Sequence, residues 1–317
     1  MTEPGAEAPP APSFKRRGSR VLRAAMGGLA LVFVVYTAVE LRRRWGAGTV
    51  EFHWLPTLLS VTPLAGGAVL LAWGWKCLLQ SMAGKRVPTW PAIALNLESQ
   101  LARYAPGKVG VPMIRMAGAP SLGVSGPLAG TSLLIELLSF VAVGGLVATL
   151  LLKLGAGLEA AMAGLGRWAI PLLIAFGVAT LLLLLLDRRR YPGVVRRLMR
   201  VEGTGPLVPM VLLPVHLGYW LTWAVHGYFV TRSVGGTHDQ AVAAIGFYCL
   251  APIAGFLALV TPGGIGVREA VLSIGLVPSI GPSAALAAAV ISRAVSILSD
   301  VCVWLGTRPV AKPRTSD

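Results

Sequence analysis

The sequence predicts an all-α fold, a polytopic helical membrane protein of 7–8 transmembrane helices with two broken or re-entrant segments. Three observations carry this. Of 317 residues, 55% are hydrophobic and only 13% charged, against roughly 25% charged in soluble domains. Several uninterrupted apolar runs approach the roughly 20 residues that cross a bilayer core. Finally, two stretches inside this apolar chain, Leu101–Met116 (LARYAPGKVGVPMIRM) and Thr261–Ala270 (TPGGIGVREA), place cations beside Pro-Gly pairs. Proline and glycine interrupt a helix and free backbone groups, which must then be buried in protein or line a wet cavity. Cations at membrane depth are costly and usually mark a pathway or a binding site.

The formal net charge of +15 does not point to nucleic acid. The basic residues cluster beside hydrophobic segments, as anionic headgroups and the positive-inside rule predict, and there is no soluble basic domain. Cys77, Cys249 and Cys302 are isolated in apolar runs and read as core residues rather than disulfide partners or metal ligands. No CxxC, HExxH, P-loop or Gly-x-Ser-x-Gly pattern occurs, so neither cofactor, metal nor enzymatic activity is expected.

Taken in order, residues 1–20 form a Pro- and Ala-rich tail, expected to be disordered, ending in Lys15, Arg16, Arg17 and Arg20. Val21–Leu41 is a first span, too long for a signal-peptide core. Thr57–Leu79 is the second, with Trp54, Lys85 and Arg86 at its flanks. Residues 92–118 follow as a re-entrant segment: Ala92–Tyr104 is short for a crossing and carries Asn96, Glu98, Gln100 and Arg103. Leu128–Leu152, with Glu136 inside it, and Trp168–Leu186 are the third and fourth spans. The loop Asp187–Gly205 holds Arg188, Arg189, Arg190, Arg196, Arg197 and Arg200 and belongs in the cytoplasm. Four crossings from a cytoplasmic N-terminus return the chain to that side.

Leu207–Val230 is the fifth span and Ala241–Val260 the sixth. Ala284–Leu305, with Arg293 and Asp300, comes last. His216 and His226 stand about 80° apart around the fifth helix, which argues against a two-histidine metal site there. If the piece between the last two spans is re-entrant, the count is seven. If Gly263–Ile280 is a discontinuous crossing, it is eight and both termini are inside, as Arg308, Lys312 and Arg314 favour. The expected organisation is thus a basic tail (1–20), a transmembrane domain (21–306) and a short basic tail (307–317), in the cell membrane.

In the first break, Pro106–Gly107 is flanked by Arg103 and Lys108, with Gly110 and Arg115 further on. Cations and free amides at a helix end suit a phosphate; the alternative is side chains snorkelling to headgroups. In the second, Pro262, Gly263, Gly264 and Gly266 precede Arg268 and Glu269. There Arg268 either meets a phosphate while Glu269 holds it, or the two form a structural lock. Arg293, Ser296 and Asp300 fall on one helical stripe, and an Arg293–Glu136 pair is the bland reading of those charges. The tryptophans read mainly as interfacial anchors.

At these two breaks the sequence resembles the flippase-like transmembrane region of lysylphosphatidylglycerol synthases. Arg103-Tyr104-Ala105-Pro106-Gly107-Lys108-Val109-Gly110 is similar to that family's R-[YF]-x-P-G-K-x-G signature, and Pro262–Glu269 to its P-G-G-x-G-x-R-E. Arg293 matches an arginine of the last span. Glu136 matches the Glu of an E-R pair, but Leu137 stands where the Arg would be. The resemblance implies a stand-alone member without the soluble aminoacyl-transfer domain, and so lipid handling without lipid synthesis. The expected function is translocation of an anionic phospholipid or polyprenyl-phosphate lipid between leaflets. The competing readings are a non-catalytic subunit docking a lipid-modifying enzyme such as a glycosyltransferase, and a membrane transferase, for which no nucleophile or metal constellation is visible. The expected partners are membrane lipids and, on the docking reading, such an enzyme.

Overall fold

The computed structural model describes residues 50–104, 109–155, 212–258, 264 and 266–307, and among these the secondary structure is entirely helical. The expected first and fourth spans, both tails and the Asp187–Gly205 loop lie outside the described residues. The helices are α1 (Trp54–Leu59), α2 (Val61–Ala83), α3 (Thr89–Leu101), α4 (Gly110–Gly118), α5 (Gly126–Leu154), α6 (Leu212–Ser233), α7 (His238–Leu257), α8 (Val267–Ile280) and α9 (Pro282–Thr307). A 3₁₀ turn, Ala102–Tyr104, follows α3, and another, Ala119–Leu122, follows α4.

Among the described residues four stretches are long and apolar enough to cross a membrane: Trp54–Ala83, α5, α7 and α9. They coincide with the expected second, third, sixth and last spans. The helix at the expected fifth span, α6, is 22 residues long but is not among the four, because His216, Thr222, His226 and Thr231 dilute its hydropathy. Large apolar side chains nonetheless face outward: Leu217, Leu221 and Val225 line one stripe of α6, and Leu134, Leu138 and Leu150 stand out from α5. Spacings of three and four residues put such positions on one helix face. An outer surface of this kind suits lipid rather than water.

Local signals set the helix ends. Gly84, at φ 64°, closes α2, and Thr237 with Gln240 forms a reciprocal capping box at the start of α7. Helix α2 packs on α3, α6 and α9, α5 on α6 and α7, and α8 lies between α7 and α9. The larger core joins α5, α6, α7 and α9 around Trp220, Tyr248 and Ile253; a smaller one surrounds Trp75, Leu78 and Leu79. Trp220 donates its indole N–H to the Phe140 carbonyl (3.0 Å) and lies so close to Gly144 that a Cβ there would stand 2.4 Å from the ring. Small residues at helix contacts permit this approach.

The trio α1–α2, α6 and α9 is fastened by His226, which is fully buried. Its Nδ1 lies 3.1 Å from the Ser60 carbonyl and its Nε2 2.9 Å from the Ser292 hydroxyl. The carbonyl can only accept, so Nδ1 carries the proton and Nε2 accepts from Ser292. His226→Leu leaves both partners buried and unpaired, and should lower stability by about 1–3 kcal/mol. Thermal unfolding in detergent reads this; an unchanged midpoint would show that the bridge contributes nothing.

Candidate functional site

Two helix interruptions meet at one place. In the first, α3 runs into the Ala102–Tyr104 turn and α4 restarts at Gly110. A Cβ at Gly110 would stand 2.8 Å from the Ala102 Cβ, so the two arms of the break touch through small residues. In the second, α7 ends at Leu257 and α8 starts at Val267. Gly264 adopts φ +74°, and a Cβ there would meet the Gly255 Cα at 2.6 Å and its carbonyl oxygen at 2.7 Å. Both the left-handed backbone and the contact with α7 require glycine at this position. Of the predicted site residues, Pro106, Gly107, Lys108, Pro262 and Gly263 lie outside the described residues.

Between the breaks is a cavity of about 680 Å³. Arg103, Arg115, Glu136, Arg268 and Arg293 line it, together with the rings of Tyr104, Phe140, Tyr219 and Trp223. Its outer lining includes Val109, Met116 and Leu134, large apolar side chains that are exposed on the helix surfaces. A charged interior therefore continues into an apolar opening beside α4 and α5. Val109, the residue before α4, and Arg268, in the first turn of α8, both border the cavity. The positive ends of two helix dipoles add to the arginine charges there.

The charges are arranged in pairs. Arg115, wholly buried, pairs through Nη1 with Glu136 Oε2, donates from Nε to the Ser99 hydroxyl (3.0 Å) and sits over the Trp75 ring at 4.7 Å. Trp75 is held in turn by donating to the Ser132 hydroxyl (3.0 Å). Arg103 pairs with Asp300, to which the Tyr104 hydroxyl also donates. Arg293 Nε lies 3.9 Å from Glu269 Oε1. Arg268 has no carboxylate partner among the described residues. It lies over the Trp223 ring at 4.5 Å, is 8% exposed, and its Nη2 has no hydrogen-bond partner among the described residues.

Two sequence-based pairings are thereby corrected. Glu136 is paired with Arg115 rather than Arg293. The missing E-R arginine at Leu137 is thus replaced by an arginine from a neighbouring helix. Glu269 does not hold Arg268 either: adjacent helix residues point about 100° apart. Its Oε2 accepts the Gly266 backbone N–H at 2.7 Å, capping α8, while Oε1 faces Arg293. The reading of tryptophans as interfacial anchors also fails for Trp75, Trp220 and Trp223, which are buried. Trp75 and Trp223 serve as faces for arginines. Their mid-span positions were the available signal. Tyr104 stands at the Tyr/Phe position of the first signature, but its partner Asp300 lies 196 positions away, and nothing local to Gly255 marks its contact with Gly264.

Among the described residues the chain is all-helical, with apolar helices long enough to cross a membrane and a charged cavity between the α3–α4 and α7–α8 interruptions. The chain matches the family model described as the lysylphosphatidylglycerol synthase TM region over residues 20–303 and belongs to that family. This makes it a membrane protein related to lipid handling. No curated protein matches it.

Removing one member of the buried Arg115–Glu136 pair strands the other. Arg115→Met or Glu136→Gln alone should each cost about 3–5 kcal/mol, while the double variant should recover most of that loss. Thermal unfolding of the four proteins checks the cycle, and strictly additive losses would show that the two side chains do not act as a pair.

Proposed function

We propose that this protein translocates lipids with an anionic phosphate headgroup between the leaflets of the cell membrane, without enzymatic chemistry. The observation that carries the reading is Arg268, a buried cation in a cavity, with a free N–H and no carboxylate partner among the described residues. A phosphate oxygen satisfies both deficits, and charge-assisted contacts of this kind are the strong ones. The apolar opening at Val109, Met116 and Leu134 lets acyl or prenyl tails remain in lipid while the headgroup occupies the charged interior. Broken helices that converge on a polar site are a common way for transporters to bind a substrate within the membrane. The sequence holds no nucleotide-binding motif, so the cycle draws on a lipid gradient, an ion gradient or a partner.

Liposomes containing the purified protein and labelled anionic lipid test this. Arg268→Gln and Lys108→Gln should slow leaflet exchange roughly tenfold or more, equivalent to losing about 1.4 kcal/mol or more of binding. Arg268→Lys should recover part of the rate, because lysine keeps the charge but not the bidentate geometry. Arg197→Gln, in the arginine-rich loop, should leave exchange unchanged. A stable wild-type protein that exchanges no lipid would overturn the proposal and favour the docking-subunit reading.

A further inference from the structure

Among the described residues the charges around the cavity can be counted, and the sign of their excess constrains the ligand. Four arginines border it: Arg103, Arg115, Arg268 and Arg293. Three carboxylates answer three of them: Asp300 on Arg103, Glu136 on Arg115 and Glu269 near Arg293. Among the described residues this leaves one positive charge, on Arg268. An uncompensated buried charge costs several kcal/mol, so the occupied cavity is most stable when the ligand brings net negative charge. A zwitterionic headgroup brings none. An aminoacylated one adds further positive charge to a site already in excess.

The aromatic lining points the same way. A cationic headgroup is commonly held against aromatic faces, but four of the cavity's rings are engaged. Arg268 covers Trp223, Arg103 and Arg293 both lie over Tyr104, and Phe140 packs on Tyr219 with centroids 5.2 Å apart.

A second observation concerns the neutral part of the headgroup. Arg115 and Glu136 meet through Nη1 and Oε2, which leaves Arg115 Nη2 and Glu136 Oε1 buried with no hydrogen-bond partner among the described residues. One is a donor and the other an acceptor, and both residues line the cavity. A hydroxyl accepts and donates and so can serve both, whereas an ammonium has only donors and leaves Nη2 unserved.

Resting on the translocation reading above, we propose that the preferred ligand is a lipid phosphate of net negative charge whose headgroup is otherwise neutral and hydroxylated. Its phosphate lies on Arg268 and one hydroxyl lies between Arg115 Nη2 and Glu136 Oε1. The chemistry is shared by polyol phosphoglycerides and by polyprenyl phosphosugars. It excludes the cationic, aminoacylated lipids on which the family's synthases act.

The test compares leaflet exchange, in liposomes holding the purified full chain, of labelled phosphatidylglycerol, phosphatidylmethanol, phosphatidylethanolamine, lysylphosphatidylglycerol and a polyprenyl-phosphate hexose. Exchange of phosphatidylglycerol, of the hexose lipid, or of both should exceed that of the zwitterionic and lysylated lipids by roughly tenfold or more. Whichever of the two is moved names the source of the headgroup. Phosphatidylmethanol, which has the charge but no hydroxyl, should be several-fold slower than phosphatidylglycerol if the diacyl lipid is the one moved. Arg268→Gln should erase the preference for the anionic lipid. Arg268→Lys, which retains the charge, should keep the order of preference at a lower rate. Exchange of phosphatidylethanolamine as fast as the faster of phosphatidylglycerol and the hexose lipid, or fastest exchange of the lysylated lipid, would overturn the charge-balance inference while leaving lipid translocation standing. Exchange of no lipid at all would instead remove the translocation reading.

Discussion

The buried pairing of arginines with carboxylates is the constraint on which this structure depends. Helix α4 has 9 residues and α8 has 14, too few to cross a bilayer core alone, which takes roughly 20. Each must be held by its neighbours. Arg115–Glu136 ties α4 to α5, Arg103–Asp300 ties the turn after α3 to α9, and Arg293–Glu269 sets α9 against α8. Every one of these contacts joins a broken segment to a long continuous helix. A buried ion pair is weak evidence for net stability, because desolvation opposes the Coulombic gain. Its use here is positional, fixing where two interrupted helices stop. Glycines complete the arrangement: Gly264 against Gly255 and Gly110 against Ala102 allow backbones to approach where a side chain would separate them.

How much of this was legible in the sequence depends on whether the signal is local. The all-helical class, the four long apolar helices and the two interruptions follow from composition, run length and Pro-Gly pairs, and each is written in a contiguous segment. Arg115, Glu136, Arg268 and Arg293 stood out as candidates because a charge inside an apolar run has few innocent explanations, and the structure brings all four to one cavity. Their partners were not recognisable. Arg103 and Asp300 are separated by 197 positions, and nothing in either segment names the other. The bland alternative of an Arg293–Glu136 pair gave way to Arg115–Glu136 for the same reason: complementary sign is a property of many pairs, and only packing selects one. Trp75 and Trp223 were read by the statistics of interfacial tryptophan, which yields here to the pull of a buried guanidinium toward an aromatic face.

Pairing also explains how a charged cavity persists in an apolar chain. Three arginines are neutralised by the protein itself, so their cost is met before any ligand arrives. Arg268 is left over, held against Trp223 and next to Gly264 and Gly255, where the backbone leaves room for close approach. The exposed side chains at the opening, Val109, Met116 and Leu134, give the cavity an apolar border beside α4 and α5. Membership of the lysylphosphatidylglycerol synthase TM region family agrees with lipid as the relevant class of molecule. The charge balance narrows the proposal further, toward headgroups that bring net negative charge and hydroxyls.

The central claim is that Arg268 contacts a lipid phosphate inside the protein. Solid-state NMR with isotope-labelled arginine and the natural ³¹P of the lipid measures that contact directly. In bilayers of phosphatidylglycerol, dipolar dephasing should place a phosphorus within hydrogen-bonding reach of an arginine guanidinium, and Arg268→Lys should remove that signal while the remaining arginine resonances stay in place. Phosphorus contacts that survive Arg268→Lys unchanged, or that are confined to arginines at the membrane surface, would contradict the account.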